Sequence, residues 1–237
     1  MSNSSSIKVL FFDVFGTVVD WYSQVVREGH ALSKKTGVAV EWGEFARKWR
    51  VDGYLSSLLK ISSGEMDLIP TEQIHRIKLD ALLAEYGIAD LDEKEIANFN
   101  RVWDRLPPWP DVHEGLHLLR PNYRLVPFSN GDLHCMIELA RHGGLQWDAI
   151  VSADFFRKVK PDPTIYHDAA NLMRLSPDEI MMVACHAQDL VGARRAGMRT
   201  AYVTRPLEYG PGSKPELKPE DFDYEVKDFI ELAKKIA

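Results

Sequence analysis

Ile7-Lys8-Val9-Leu10-Phe11-Phe12-Asp13-Val14-Phe15-Gly16-Thr17-Val18-Val19 carries an apolar run, residues 9–12, that ends in a carboxylate. An apolar run without alternation reads as a strand buried on both faces, as in a parallel sheet. The stretch predicts a strand over residues 7–12 that delivers Asp13 into a tight Gly16-Thr17 loop. In open α/β sheets ligands bind at that carboxyl edge. Asp13 has two readings. It caps the next turn, or it is a nucleophile, a role in which a carboxylate splits a difficult displacement into two easier steps. Gly16 permits a sharp backbone, and the amides beside it could face a developing oxyanion. Two residues after Asp13 stands Phe15, a phenyl ring and not a second acid.

Outward from this strand the pattern changes. Residues 21–105 are polar and rich in helical spacing, with apolar positions Phe45, Trp49, Leu55, Leu58 and Leu59 in 44–59 and Ile74, Ile77, Leu79, Leu82 and Leu83 in 71–86. Both spacings predict amphipathic helices. Pro107-Pro108-Trp109-Pro110 breaks the pattern and marks a return linker. Strands are then expected at 123–128, 149–152, 180–184 and 200–203. Helices are expected at 133–142, 163–173 and 189–196, with a capping-box turn at Ser176-Pro177-Asp178-Glu179. Residues 205–219 read as loop and 226–236 as a closing helix. Alternating β and α elements imply an α/β fold with a parallel sheet.

Composition narrows the partners. The chain has 237 residues, 45% of them hydrophobic, enough for a core of one or two domains. Its net charge is −6, with no block of Lys and Arg, so nucleic acid is not an expected partner. No apolar stretch approaches the roughly 20 residues of a membrane span. The polar residues 1–6 lack a signal-peptide core. Cys135 and Cys185 are too few for a disulfide scaffold and form no ligand cluster in sequence. A soluble, cytoplasmic protein is expected. The acidic average does not exclude an anionic substrate, because the local field at a pocket decides that.

Further candidates lie where strands end. Ser129-Asn130-Gly131 is either an ordinary turn or a polar pair at the sheet edge. Lys160, before Pro161-Asp162-Pro163, is either solvated or placed to keep Asp13 ionised; Lys158 is its rival, and the directly following proline favours Lys160. Tyr166 reaches back to this site or packs in the core. Cys185, His186 and Asp189 follow the strand at 180–184. His186 orients or deprotonates water, or is structural. In the helical region, Trp49-Arg50 offers a cation, with Arg47 competing, and Tyr54 could wall a small dry pocket.

Taken in order, these four motifs resemble the haloacid dehalogenase superfamily, and within it the type II haloacid dehalogenases, over nearly the whole chain. The resemblance implies a Rossmann-like core of residues 1–20 and 111–237, a helical cap of 21–110, and an active site between them. Phosphatases of the superfamily carry an acid where Phe15 stands, to protonate the leaving alkoxide. They also place two Mg²⁺-binding acids four residues apart, where this chain has Cys185 and Asp189. A halide leaves without a proton, and Mg²⁺ does not accept a thiol. The implied activity is therefore hydrolytic dehalogenation of short 2-haloacids, needing no metal and no organic cofactor.

By the same resemblance Asp13 is the nucleophile, and Thr17, Lys160, Asp189 and His186 assist it. Ser129 meets the substrate carboxylate, Arg50 and Asn130 meet the halide, and Phe15 and Tyr166 complete the substrate site. The chain departs from the family where Ala184 and His186 replace the usual Ser and Asn, which leaves the water-positioning group open. A homodimer is among the assemblies implied. The rivals are a Mg²⁺-dependent phosphatase and a non-catalytic binding module.

Overall fold

A computed structural model describes residues 6–213 and 221–236. The run that opens the chain forms β1 (Val9–Phe12), and none of its four side chains is exposed. Successive residues point to opposite faces of a strand. Leu10 and Phe12 thus join one apolar cluster, while Val9 and Phe11 join another across the sheet. Each such side chain buried contributes about 1.5–3 kcal/mol.

Between β1 and the next strand runs a helical insertion. It comprises α1 (Trp21–Thr36), α2 (Trp42–Lys48), a π-helical stretch (Trp49–Leu55), α3 (Ser56–Ser63), α4 (Thr71–Glu85) and α5 (Glu93–Asn100). After α6 (Val112–Leu119) the chain alternates through β2 (Arg124–Ser129), α7 (Leu133–Gly143), β3 (Val151–Ser152), α8 (Pro163–Leu172), β4 (Ile180–Ala184), α9 (Ala187–Arg195) and β5 (Arg199–Val203). It closes with β6 (Tyr224–Val226) and α10 (Phe229–Ile236). The six strands lie in the order β3-β2-β1-β4-β5-β6, all paired in parallel. Phe12 registers with Pro127 on one side and Val183 on the other. Order reverses at β1, so Asp13 emerges at the switch point where such sheets bind ligands.

Three expectations need correction. The region 44–59 is not one regular helix, because the π-helical turn resets its face. It buries Trp49, Arg50, Gly53 and Tyr54 together and leaves Leu59 exposed. In α4 the buried stripe is Ile74, His75, Leu79, Leu82 and Leu83, and Ile77 falls outside it into solvent. The segment 226–236 is not all helix: residues 224–226 form the edge strand β6, too short to leave a pattern, before α10 begins. The loop expected at 205–219 and the tail at 1–6 lie partly outside the described residues. Among the described residues, no helix is long and apolar enough to cross a membrane.

Candidate active site

Asp13 leaves β1 with its backbone N–H donating to Val183 O at 3.0 Å, so the sheet itself fixes the carboxylate. The loop then turns on Gly16, at φ +86°, and the Gly16 N–H donates to Val19 O at 3.1 Å. This turn brings the Thr17 hydroxyl onto Asp13 Oδ2 at 2.8 Å, while Thr17 Oγ1 accepts the Cys185 N–H at 3.0 Å. Lys160 Nζ donates to Asp13 Oδ1 at 3.1 Å and contacts Asp189 Oδ2 closely. Lys158 points elsewhere, to Thr164 and Asp168.

Asn130 explains how a loop lysine is held so firmly. Its carboxamide accepts the Lys160 N–H at 2.7 Å and donates to Lys160 O at 3.0 Å, gripping that backbone from both sides. One amide N–H of Asn130 remains for another partner. Ser129 is buried, and its Oγ accepts the Gly131 N–H at 3.0 Å. Tyr166 is also fully buried and donates to Asp189 Oδ1 at 2.6 Å. Gly192 makes room for its ring, since a Cβ there would lie 2.6 Å from Tyr166 Cε2. Tyr166 thus reaches the site through Asp189, from beneath, rather than from the cavity wall.

Burial alone would raise the Asp13 carboxyl, but Lys160, His186 and Thr17 outweigh it and hold it well below the usual carboxylate range. Burial would likewise lower Lys160, and Asp13 and Asp189 override it, so the ammonium keeps its proton. Burial raises Asp189, opposed by Lys160. Burial also keeps the Tyr166 phenol protonated, as a donor to Asp189.

His186 stands at the N-cap of α9. Its Nδ1 lies 3.0 Å from Asp13 Oδ2 and its Nε2 lies 2.9 Å from Glu208 Oε1. Burial pulls its pKa down, while Cys185 and the carboxylates of Glu208 and Asp13 push it well up and prevail. The Cys185 thiol is itself pushed up to about 11, mainly by burial, so at neutral pH the carboxylates are the charges that act. Each ring nitrogen of His186 thus faces a carboxylate, an arrangement that favours the protonated imidazole.

Glu208 is the residue that sequence reasoning missed. It sits in an aperiodic Pro/Gly loop after β5, and the only hint was that such loops flank the sheet's carboxyl edge. It is 6% exposed and also accepts the Trp21 Nε1–H at 3.3 Å and the Cys185 thiol at 3.5 Å. Ligand atoms of Cys185, His186 and Glu208 lie within 4.8 Å of one another, but the thiol keeps its proton and both ring nitrogens of His186 already face carboxylates, so this set is not assigned as a metal site. Beside Asp13 the Cys185 thiol makes a poor seat for Mg²⁺, which takes oxygen ligands.

From the helical insertion, Arg50 enters the same cavity at 3% exposure. Its guanidinium packs over the rings of Tyr54, Phe15 and Trp21 at 4.9, 5.2 and 5.9 Å. Its Nε and Nη1, and the Tyr54 hydroxyl, have no hydrogen-bond partner among the described residues. Burial holds the Tyr54 phenol well above its usual value, so it stays a donor. Arg47 instead lies exposed and donates to Tyr22 Oη and Tyr209 O. The cavity, of about 720 Å³, is lined by Asp13, Arg50, Ser129, Asn130, Lys160 and His186 among others.

Known proteins resemble this chain in both sequence and fold. The haloacid dehalogenase-like hydrolase family matches residues 7–197. The solved structure of the L-2-haloacid dehalogenase PA0810 is 38% identical, aligns over 98% of this chain and 99% of its own, and superposes with a TM-score of 0.91. The (S)-2-haloacid dehalogenase of Xanthobacter autotrophicus is 28% identical over 204 residues, covering 84% of this chain and 76% of that enzyme. The phosphoglycolate phosphatase of Nitrosospira multiformis is 25% identical over 233 residues, covering 97% of this chain and 96% of that enzyme. With a family match over most of its length and a 38%-identical structure aligned nearly end to end, this chain belongs to the haloacid dehalogenase-like hydrolases.

Proposed function

We propose that this hydrolase cleaves the carbon–halogen bond of short 2-haloacids, of the haloacetate and 2-halopropionate type, through an ester on Asp13. One juxtaposition supports the reading most. An ionised carboxylate and a buried guanidinium with unpaired N–H groups face the same cavity. The first suits attack on an electrophilic carbon. The second suits a departing anion that needs donors but no proton. The solved structure that aligns nearly end to end is named an L-2-haloacid dehalogenase, and a relative matched over 84% of this chain is named an (S)-2-haloacid dehalogenase.

In this reading residues 21–110 act as a cap over a core of 1–20 and 111–237. The substrate carboxylate rests on Ser129 and neighbouring backbone amides, with Lys160 adding positive charge. Asp13, oriented by Thr17, attacks the carbon opposite the halogen and inverts that centre. The halide leaves with the electron pair of the broken bond. Arg50, the Tyr54 hydroxyl and the remaining N–H of Asn130 receive it, against the Phe15 ring. A water held near Asp189 and His186 then attacks the carboxyl carbon of Asp13 and frees the 2-hydroxyacid. No step calls on a metal or an organic cofactor.

The test is chloride release from chloroacetate and 2-chloropropionate in the presence of EDTA. Asp13→Asn should lose several orders of magnitude while the fold survives. In a single turnover in ¹⁸O-water, the label should appear first in Asp13, with the product oxygen drawn from the protein. Mg²⁺-dependent phosphate release from a phosphate ester, without halide release, overturns the reading and returns the chain to phosphatase chemistry.

A further inference from the structure

Deepening the dehalogenase reading, on which it rests, we infer that Glu208 is a positioning residue that makes His186 the base of ester hydrolysis, and that formation of the Asp13 ester is what arms it. The argument starts from three groups in a row. His186 Nδ1 is 3.0 Å from Asp13, and its Nε2 is 2.9 Å from Glu208. The charged or titratable groups facing the ring are Asp13 just after β1, Cys185 just after β4, and Glu208 and Tyr209 from the loop after β5. Lys160 acts on it through Asp13, and Arg50 through Glu208.

In the resting enzyme two carboxylates flank the imidazole and hold it protonated. It cannot then accept a proton. Alkylation converts Asp13 into a neutral ester and removes one of the two anions. The Nδ1 proton departs to solvent with the halide, so halide and proton leave as a pair. Nε2–H stays on Glu208, which fixes the tautomer and leaves the Nδ1 lone pair aimed at the ester.

Water attacks the ester carboxyl carbon as Nδ1 takes one of its protons. The tetrahedral adduct collapses, expelling the product alkoxide, and the alkoxide takes that proton back from Nδ1. The Asp13 carboxyl left behind gives its own proton to Nδ1. The imidazolium and both carboxylates are restored, and every atom and charge is accounted for. His186 contacts the reacting group, while Glu208 acts only through it.

Glu208 is built in rather than incidental. Its loop is anchored by Arg205, which donates to Thr17 O at 3.0 Å and clasps Asp111 at 2.6 and 3.0 Å. The nucleophile loop is shaped around it. A Cβ on Gly16 would lie 2.2 Å from Glu208 Oε1, so only glycine leaves its seat free.

The experiment uses the full chain, 2-chloropropionate, rapid quench and intact-protein mass spectrometry. Glu208→Gln keeps the shape and removes the charge. It should give a burst of one chloride per site at near wild-type rate, then accumulate a substrate-sized adduct on Asp13, with turnover slowed on the order of 10²-fold. The normal burst shows that the variant is folded. His186→Ala should behave likewise, and the double variant should be no slower than His186→Ala alone, since Glu208 acts through the imidazole. Without the anion beside it the imidazole loses its proton more easily. The rising pH limb of ester hydrolysis should therefore move to lower pH in Glu208→Gln. Wild-type turnover in Glu208→Gln, a burst slowed as much as turnover, or an unmoved pH limb each overturns this inference alone. An enzyme that releases no chloride at all overturns the dehalogenase reading beneath it.

Discussion

Burying a guanidinium costs several kcal/mol unless an anion meets it, and Arg50 is 3% exposed with two of its nitrogens unpaired. Glu208 offsets part of that cost at a distance, and the two unpaired nitrogens are left for an anion that arrives with the substrate. Arg50→Met should therefore do two things at once. Halide departure should slow by about 2–4 kcal/mol of transition-state stabilisation. The melting temperature should rise, because a well-packed apolar side chain replaces a buried charge whose hydrogen bonds are not all made. Arg47→Ala, at an exposed position, should change neither. Chloride release and a thermal melt on the same samples check all three. At this scale the sequence was informative wherever a residue ended a strand or preceded a proline, as Asp13, Ser129, Asn130 and Lys160 do. Arg50 was preferred to Arg47 only through the Trp49-Arg50 resemblance, and the structure puts Arg50 in the cavity and Arg47 at the exposed surface. Glu208 was illegible, because nothing local marks an acid in an aperiodic loop that the fold lays beneath Gly16.

Regular elements with a clean period were legible, and irregular ones were not. The expected strand at 180–184 matches β4, and the expected helix at 163–173 differs from α8 by one residue. Apolar spacing could not reveal the π-helical turn at Trp49–Leu55, since a widened turn shifts the phase partway along a helix. Within that stretch Arg50 and Tyr54 lie together, the guanidinium 4.9 Å from the ring centre. The loop after β1 carries the prediction that belongs here. Gly16→Ala puts a Cβ at φ +86° and 2.2 Å from Glu208 Oε1. The backbone strain costs on the order of 1–3 kcal/mol, and Glu208 must move away from His186. A lowered melting temperature, with the Asp13 ester trapped as in Glu208→Gln, is the expected outcome by calorimetry and mass spectrometry. Loss of stability with unchanged ester hydrolysis would show that Glu208 tolerates the displacement.

Across the whole molecule, sheet and helical insertion share apolar packing. The cluster holding Leu10 and Phe12 of β1 also holds Trp42, Phe45 and Trp49 of the insertion. A reciprocal, largely buried pair also joins them, with Thr71 N–H donating to Asp132 Oδ2 at 2.7 Å and Asp132 N–H to Thr71 Oγ1 at 3.0 Å. The alternating pattern after residue 110 announced a parallel sheet, but no sequence pattern could announce contacts between segments so far apart in the chain. The position of β1 has a further consequence. It is bonded on both sides and wholly unexposed, so its amides meet solvent only when the entire domain opens. Deuterium uptake at residues 10–12 should thus report the global unfolding free energy, whereas the helical insertion should exchange through smaller openings. Asp13, the proposed nucleophile, is thus mounted beside backbone that should exchange among the slowest in the protein, so the strand that carries it should stay closed whenever the helical insertion opens.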